Sequence, residues 1–369
     1  MKRSAFDRKI DKIIGSRKII VSCGTGGVGK TTLSAAIALR AAMQGKRTAV
    51  ITIDPAKRLA TSLGIQVSKD LGDQPKDITE ELNKVLRKLG YVDENITGSL
   101  SALMPDTQKT FETLLKELTP SEAIRERVVK NPIFQVFTQE FSGANEYMAL
   151  ERLYQLYQNG NYDCIILDTP PSRNTLAFLT APKLLSRLFE EKLIRFLVLP
   201  TNKLLSAGMR KALGILERLT GAGFMTHLFD FMSSLFEVQL SFTANLNKIM
   251  ALMASPEVGF VMVAAPSPDL APEVSHFIET LRQHRFHFDG IILNRTFSYL
   301  GELPAASALQ QEAFAIVKSL QKREKKVSDE LKGDAAFICA RLPELARDVH
   351  SVEDLFHVAM AFDRKSSLE

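Results

Sequence analysis

Residues 24–32, Gly-Thr-Gly-Gly-Val-Gly-Lys-Thr-Thr, have the residue types and spacing that bind a phosphate group. They match the pattern G-x-x-x-x-G-K-[ST], whose glycines let backbone N–H groups wrap around an anion. The match lies between a predicted strand (18–23) and a predicted helix (31–43) that would point its N-terminus at the same anion. Lys30 is predicted to reach the β- and γ-phosphates of a nucleotide, and Thr31 to ligate Mg²⁺. The predicted nucleotide-binding residues of this loop are Gly26, Gly27, Val28, Gly29, Lys30, Thr31 and Thr32.

Two aspartates stand where apolar strands are predicted to end. Asp54 follows the stretch 47–53, and Asp168 follows the stretch 162–167. Open α/β sheets bind their ligands at the carboxyl ends of the strands. Asp168 is therefore predicted to hold the hydration shell of Mg²⁺ through water, opposite Thr31. Asp54 is a second candidate for the same edge of the sheet.

Two further segments complete the predicted site. Residues 169–175 follow Asp168 directly and are predicted to sense the γ-phosphate and to move on its hydrolysis. Asn294 and Arg295 come after the predicted strand 290–293, a position suited to contacting adenine.

These positions require a doubly wound, mostly parallel α/β sheet, since predicted strands and helices alternate along the chain. We predict one nucleotide-binding domain over residues 1–369, interrupted by helical insertions at about 66–158 and 176–255. The predicted strands are 18–23, 47–53, 162–167, 258–265, 290–293 and 335–340, and helices are predicted for 1–16 and 271–285.

The second insertion has an unusual composition. Residues 176–255 contain five of the eleven methionines and eight of the 22 phenylalanines. Flexible methionine side chains suit a surface that accepts varied apolar sequences, so this segment is a candidate groove for a hydrophobic client, with Met225, Phe229 and Met232 on it. A plain helical core explains the same composition, and the two interpretations stay open.

Composition and charge exclude several classes. The net charge of +5 comes from 47 basic and 42 acidic residues, and no basic block indicates nucleic-acid binding. No apolar run is long enough to cross a membrane, and no signal peptide is evident. Cys23, Cys164 and Cys339 lie far apart in apolar stretches and are predicted to be buried thiols, which favours the cytoplasm.

The chain resembles the arsenite-pump and tail-anchor-targeting ATPases of the SIMIBI class, which have a deviant phosphate loop, and especially their bacterial anion-transporting relatives. The resemblance covers nearly the whole length. It rests on GTGGVGKTT (24–32), TIDPAKRLATSLG (52–64), YDCIILDTPPSRNTLAFLTAP (162–182), ILNR (292–295) and RLPELARDVHSVEDL (341–355).

The resemblance implies roles for single residues. Asp54 would orient or deprotonate the attacking water and, through water, help to hold Mg²⁺. Asp168 would hold the Mg²⁺ shell, and Asn294 would contact adenine. ATP and Mg²⁺ are the implied cofactors, and the implied assembly is a dimer that opens and closes with the nucleotide state.

One departure from the family concerns position 25, where a signature lysine usually reaches the ATP of the partner subunit. Thr25 cannot supply that charge, although phosphoryl transfer needs cationic stabilisation. Lys57, Arg58 or Arg173 is predicted to substitute within a homodimer, or a paralogous partner brings the lysine in a heterodimer. Arg58 and Arg173 are accordingly candidate catalytic residues.

Two more departures concern cysteines. The C-x-x-C zinc site of tail-anchor-targeting members has no counterpart after residue 295, so no zinc is expected. None of the three cysteines lies where pump members bind arsenite. The sequence therefore predicts an Mg²⁺-dependent ATPase that binds a hydrophobic client segment, such as a membrane-protein tail. The alternative is a regulatory ATPase that binds a dedicated soluble partner, and a catalytic subunit of an arsenite pump is disfavoured.

Overall fold

The computed structural model describes residues 8–53, 59, 63, 73–91, 95–134, 138, 144–169, 223–300, 311–331, 333, 337–345 and 348–362. The chain divides into two compact units. The first consists of Met1–Pro105, Leu153–Ala177 and Leu252–Glu369, and the second of Asp106–Arg152 and Phe178–Ala251.

Eight described strands form one sheet in the first unit. They are β1 (Ile19–Cys23), β2 (Arg47–Thr52), β3 (Lys76–Asp77), β4 (Ser99–Leu103), β5 (Cys164–Asp168), β6 (Val258–Ala264), β7 (His287–Thr296) and β8 (Ile338–Pro343). The helices with described bounds are α1 (Lys9–Ser16), α2 (Lys30–Met43), α3 (Thr79–Lys88), α4 (Thr107–Leu118), α5 (Glu122–Val129), α6 (Ala144–Gln158), α7 (Phe224–Glu237), α8 (Gln239–Met253), α9 (Leu270–Gln283), α10 (Gln311–Glu330) and α11 (Val352–Ala361).

The strand order is β3-β4-β2-β5-β1-β6-β7-β8, with β1 near the middle. All neighbours pair in parallel except β3, which runs antiparallel to β4. β6, β7 and β8 extend the sheet in chain order on one side of β1, and β5, β2, β4 and β3 lie on its other side. The predicted mostly parallel α/β fold is confirmed. The carboxyl ends of β1, β5 and β2 consequently lie side by side.

A buried ion pair ties the helices on one face of the sheet together. The guanidinium of Arg40, on α2, donates to both carboxylate oxygens of Asp11, on α1, at 2.6 and 2.9 Å. The same guanidinium donates to the carbonyl of Ala359, on α11, at 3.0 Å. Because both charged groups are buried, their mutual pairing compensates for the water they lose. On the opposite face, Phe277 of α9 lies edge-on to Phe288 of β7 with ring centroids 5.7 Å apart.

The second unit is helical where it is described. Within it, Tyr147 and Phe242 pack with ring centroids 5.2 Å apart. The side-chain amide of Asn131 donates to the carbonyl of His227 at 2.8 Å, which joins the segment after α5 to α7.

The described part of the Met/Phe-rich segment is mixed in its exposure. Phe231, Met232 and Leu235 are buried, whereas Phe236 is 40% exposed and Leu240 is 85% exposed. The side chain of Met225 and residues 176–222 lie outside the described residues.

The structure differs from the sequence-based expectations in two strands and in several strand boundaries. The stretch 66–158, predicted as a helical insertion, contains β3 and β4, and β4 pairs in parallel with β2. Its sequence, Ser-Leu-Ser-Ala-Leu, has none of the β-branched residues that usually mark a strand. The last described strand, β8, is Ile338–Pro343 where 335–340 was predicted, and its partner β7 is His287–Thr296 where 290–293 was predicted.

Candidate nucleotide-binding site

The phosphate loop leaves β1 through a glycine that no other residue can replace without a shift. Gly24 has a φ of 150°, and a Cβ atom at this position would lie 2.1 Å from the carbonyl oxygen of Val263 on the neighbouring β6. The loop ends at Gly29, which caps α2 in the left-handed conformation with a φ of 92°. These glycines let the loop curl tightly between strand and helix, with the helix N-terminus at its end.

The side chain of Lys30 folds back over the loop. Its ammonium group donates to the carbonyl of Thr25 at 2.8 Å, and the residue is only 6% exposed. Thr31, the next residue of α2, is buried as well. The structure thus brings the predicted phosphate-binding and magnesium-binding side chains together at the start of one helix.

Asp168 lies fully buried at the carboxyl end of β5. Its Oδ1 atom accepts a hydrogen bond from Ser34 at 3.2 Å, and its Oδ2 atom accepts one from Thr52 at 2.9 Å. Burial raises the pKa of Asp168 to about 6, and hydrogen bonding from Thr31 and the charge of Lys30 oppose that rise. The carboxylate is held by hydroxyl groups of two elements, α2 and β2, that flank it.

Asn294 reaches the phosphate loop from β7. Its side-chain amide donates to the carbonyl of Val28 at 2.9 Å, and a Cβ atom on Gly29 would lie 2.5 Å from the same nitrogen. Arg295 adopts a φ of 61°, and its guanidinium lies 3.8 Å from the carboxylate of Glu344. Both residues predicted to bind adenine therefore lie at the loop's edge of the sheet, with Asn294 in direct contact with the loop.

Glu273 is an acidic neighbour that the sequence did not indicate. It lies in the first turn of α9, after β6, and its Oε1 atom is buried with no hydrogen-bond partner among the described residues. Burial raises the pKa of its carboxyl, and the positive charge of Lys30 opposes that shift. Because β6 pairs with β1, the helix that follows β6 brings Glu273 towards the loop that follows β1. No short sequence motif encodes that pairing.

Several predicted residues lie outside the described part of the chain. They are Asp54, Lys57, Arg58, Arg173 and the greater part of the 169–175 loop. Thr169, the described residue of that loop, donates through its hydroxyl to the carbonyl of Ser22 on β1 at 2.8 Å. The residues brought together by the described chain are the phosphate loop, Asp168 and Asn294.

Comparison with known proteins places this arrangement in a family. A model of the anion-transporting ATPase family matches residues 17–362. The chain belongs to the anion-transporting ATPase family. The match extends from β1 to the end of α11, so it includes every described element of the site.

Three individual proteins that are similar to this chain are 24% to 31% identical to it. A Chlorobaculum tepidum protein named "Putative arsenical pump-driving ATPase" is 31% identical over 191 residues, which cover 51% of this chain and 42% of the relative. The protein named "ATPase get3" in Schizosaccharomyces japonicus is 28% identical over 172 residues, covering 47% of this chain and 46% of the relative. The chain thus spans about half the length, or less, of these two relatives. An uncharacterized protein of Streptomyces coelicolor is 24% identical over 346 residues, covering 93% of this chain and 76% of that protein.

The described residues offer neither a helix able to cross a membrane nor a cluster of metal-ligating side chains. None of their helices combines the length and the apolar character that a membrane crossing demands. They also contain no group of three or more His, Cys, Asp or Glu side chains arranged to hold a metal ion. Cys23 and Cys164 are buried free thiols as predicted, whereas Cys339 is only half-buried.

Proposed function

We propose that this family member is an Mg²⁺-dependent ATPase. The observation that carries the proposal is that the phosphate loop lies beside a buried aspartate, Asp168, which hydroxyl groups hold in place. Thr31 and Asp168 offer the hard oxygen donors that Mg²⁺ prefers, with Asp168 acting through water. Glycine-rich backbone at the start of α2 offers N–H groups to an anion. This donor set fits a magnesium nucleotide.

Three residues of the site have distinct proposed tasks. Lys30 exchanges its hydrogen bond to the Thr25 carbonyl for the β- and γ-phosphates, so its positive charge moves to the reacting group. Asp54 orients or deprotonates the attacking water, and Asn294 contacts adenine. Bound Mg²⁺ supplies charge neutralisation at the phosphates.

The experiment is phosphate release from ATP by the purified chain with and without Mg²⁺. Lys30→Ala is expected to abolish release, because no other described side chain of the loop carries a positive charge. Lys88→Ala, which removes an exposed lysine from α3, is the matched control and should keep full activity. Equal activity of the two variants would refute the assignment of the loop.

The cation that replaces the family's signature lysine is proposed to be Lys57, Arg58 or Arg173. Removal of a stabilising arginine lowers phosphoryl-transfer rates by about 10³-fold or more. Alanine in place of the residue that supplies the cation should lower the hydrolysis rate of the purified chain to this extent. If all three alanine variants keep the activity of the purified chain, none of these residues is the substituting cation. A heterodimer is supported instead if the purified chain alone is inactive and gains activity when a paralogous partner that carries the lysine is added.

For the helical unit we propose that ATP binding and hydrolysis open and close a dimer and control binding of a hydrophobic client segment. Support comes from the exposed apolar side chains of Phe236 and Leu240. Met232 is buried, so replacing it would test folding and not binding. The double variant Phe236→Asp, Leu240→Asp is expected to abolish capture of a transmembrane-segment peptide while ATP hydrolysis persists.

The second candidate is a regulatory ATPase that binds a dedicated soluble partner. The burial of Phe231, Met232 and Leu235 favours it, since these residues then serve the core of their own unit. Purification from cells distinguishes the candidates. If varied tail-anchored membrane proteins co-purify with the unaltered chain, client binding is supported. If one soluble protein co-purifies in a fixed ratio and the double variant retains it, the regulatory function is supported.

A further inference from the structure

The end of β7 contains a bulge that presents Asn294 to the phosphate loop. Leu293 pairs with Arg341 and Thr296 pairs with Pro343, so two residues of β7, Asn294 and Arg295, stand opposite the single residue Leu342. We call these two residues the β7 bulge. The left-handed backbone conformation of Arg295 is unusual for a residue other than glycine. Bulges of this kind redirect side chains next to functional sites.

The strand fixes the bulge on one side. Thr296 donates through its hydroxyl to the carbonyl of Leu342 at 2.8 Å, and its own carbonyl accepts from the N–H of Glu344 at 3.0 Å. These bonds hold β7 to β8 immediately after the bulge. A conformation with an unfavourable φ persists only when its surroundings enforce it, so a second support besides β8 is expected.

That second support comes from α10. A single carboxylate oxygen of Glu324, Oε2, accepts the N–H groups of Phe297 at 2.8 Å and Ser298 at 3.1 Å. Gln321, one turn earlier on the helix, donates to the carbonyl of Phe297 at 3.1 Å. Glu324 is 1% exposed, and its other oxygen lies 3.7 Å from the guanidinium of Arg341 on β8.

We propose that Glu324 is a positioning residue for nucleotide binding. Its carboxylate fixes the backbone that follows the β7 bulge, and the bulge in turn seats Asn294 against the phosphate loop. Two hydrogen bonds to one ionised oxygen are stronger than bonds to a neutral acceptor, which suits a support that must hold a strained segment. The inference rests on the proposed function, because it concerns the same site.

The test compares ATP with inorganic tripolyphosphate, which has phosphates but no base. Glu324→Gln keeps the shape of the side chain and removes its charge. We expect ATP affinity to fall about tenfold, the effect of losing about one charge-assisted hydrogen bond. Affinity for tripolyphosphate should be unchanged, because the proposed task of Asn294 is contact with adenine, which this probe lacks. Glu330→Gln, at an exposed ion pair with Lys326 on the same helix, is the matched control and should change neither affinity.

The outcomes separate a positioning role from a purely structural one. A lower melting temperature with unchanged ATP affinity, or an equal loss for both ligands, would overturn the proposal. Should Glu324→Gln fail to fold, Gln321→Ala removes the neighbouring support and must show the same selective loss of ATP. Failure of the unaltered chain to bind ATP would refute the proposed function itself, and the positioning role with it.

Discussion

Replacing Asp168 by asparagine is expected to stabilise the nucleotide-free protein at neutral pH and to abolish ATP hydrolysis. The carboxylate is fully buried, and burial raises its pKa from 3.8 to about 6. Above pH 6 the folded protein must keep a charge that its surroundings disfavour, whereas the unfolded chain exposes the same charge to water. Asparagine keeps the shape without the charge, and the hydroxyls of Ser34 and Thr52 can serve an amide as donors or acceptors.

The size of the effect follows from the pKa. A rise of about two pKa units corresponds to about 3 kcal/mol of lost stability, at about 1.4 kcal/mol for each unit. Between about pH 4 and pH 6 the folded protein binds a proton at Asp168 that the unfolded chain has released. The unaltered protein therefore loses this stability as the pH rises through that window. The asparagine variant has no such loss, so its advantage should be absent at pH 4 and reach about 3 kcal/mol at pH 7.5.

Urea unfolding at a series of pH values, without Mg²⁺ or nucleotide, measures this difference. Asp163→Asn is the control with the opposite sign. The guanidinium of Arg47 lowers the pKa of Asp163 to about 2, so that pair stabilises the protein above the pKa of the unfolded carboxyl and loses its effect as the pH falls towards 2. If Asp168→Asn destabilises the protein at pH 7.5, or if its effect does not change with pH, the hydroxyl bonds outweigh burial and the reasoning is wrong.

Three other substitutions probe the loop and the helices that support it. Gly24→Ala should destabilise the protein and prevent nucleotide binding, because its Cβ would lie 2.1 Å from the Val263 carbonyl oxygen. The Cβ of Gly27→Ala would meet no atom within 4 Å, so this variant should lose only about 1 kcal/mol of unfolding free energy for its φ of 79°. Urea unfolding and ATP titration of both variants check this, and equal losses would contradict it. Asp11→Ala should lower the free energy of unfolding by about 3 to 5 kcal/mol, because it leaves the guanidinium of Arg40 buried without its carboxylate. A loss of less than about 1 kcal/mol in urea unfolding would show that the pair is dispensable.

The sequence predicts the parts of the site that a local pattern determines. The phosphate loop needs only its glycines, Lys30 and the flanking elements, and the structure places it between β1 and α2 as expected. Asp168 was found because an apolar stretch ends in an aspartate. These signals are contained within a few residues, so no knowledge of neighbouring strands is required.

The missed features depend on which elements become neighbours. Thr52 holds Asp168 because β2 and β5 pair in that register, and nothing in the sequence of either strand states the register. Glu324 lies in a mixed-charge helical stretch that resembles an exposed surface, yet it is buried against the end of β7. The carboxylate has a task only because α10 packs beside a bulge, and that contact joins segments 26 to 27 residues apart.

The position of Lys30 bears on whether the phosphate loop needs a lysine at position 25. Lys30 bonds the backbone carbonyl of residue 25, a group that every residue type provides, so this resting conformation of the loop does not depend on the side chain there. Thr25 itself is half-buried, and Gly26 and Gly27 after it are exposed. Nucleotide binding by a single chain is therefore not expected to need a lysine at position 25.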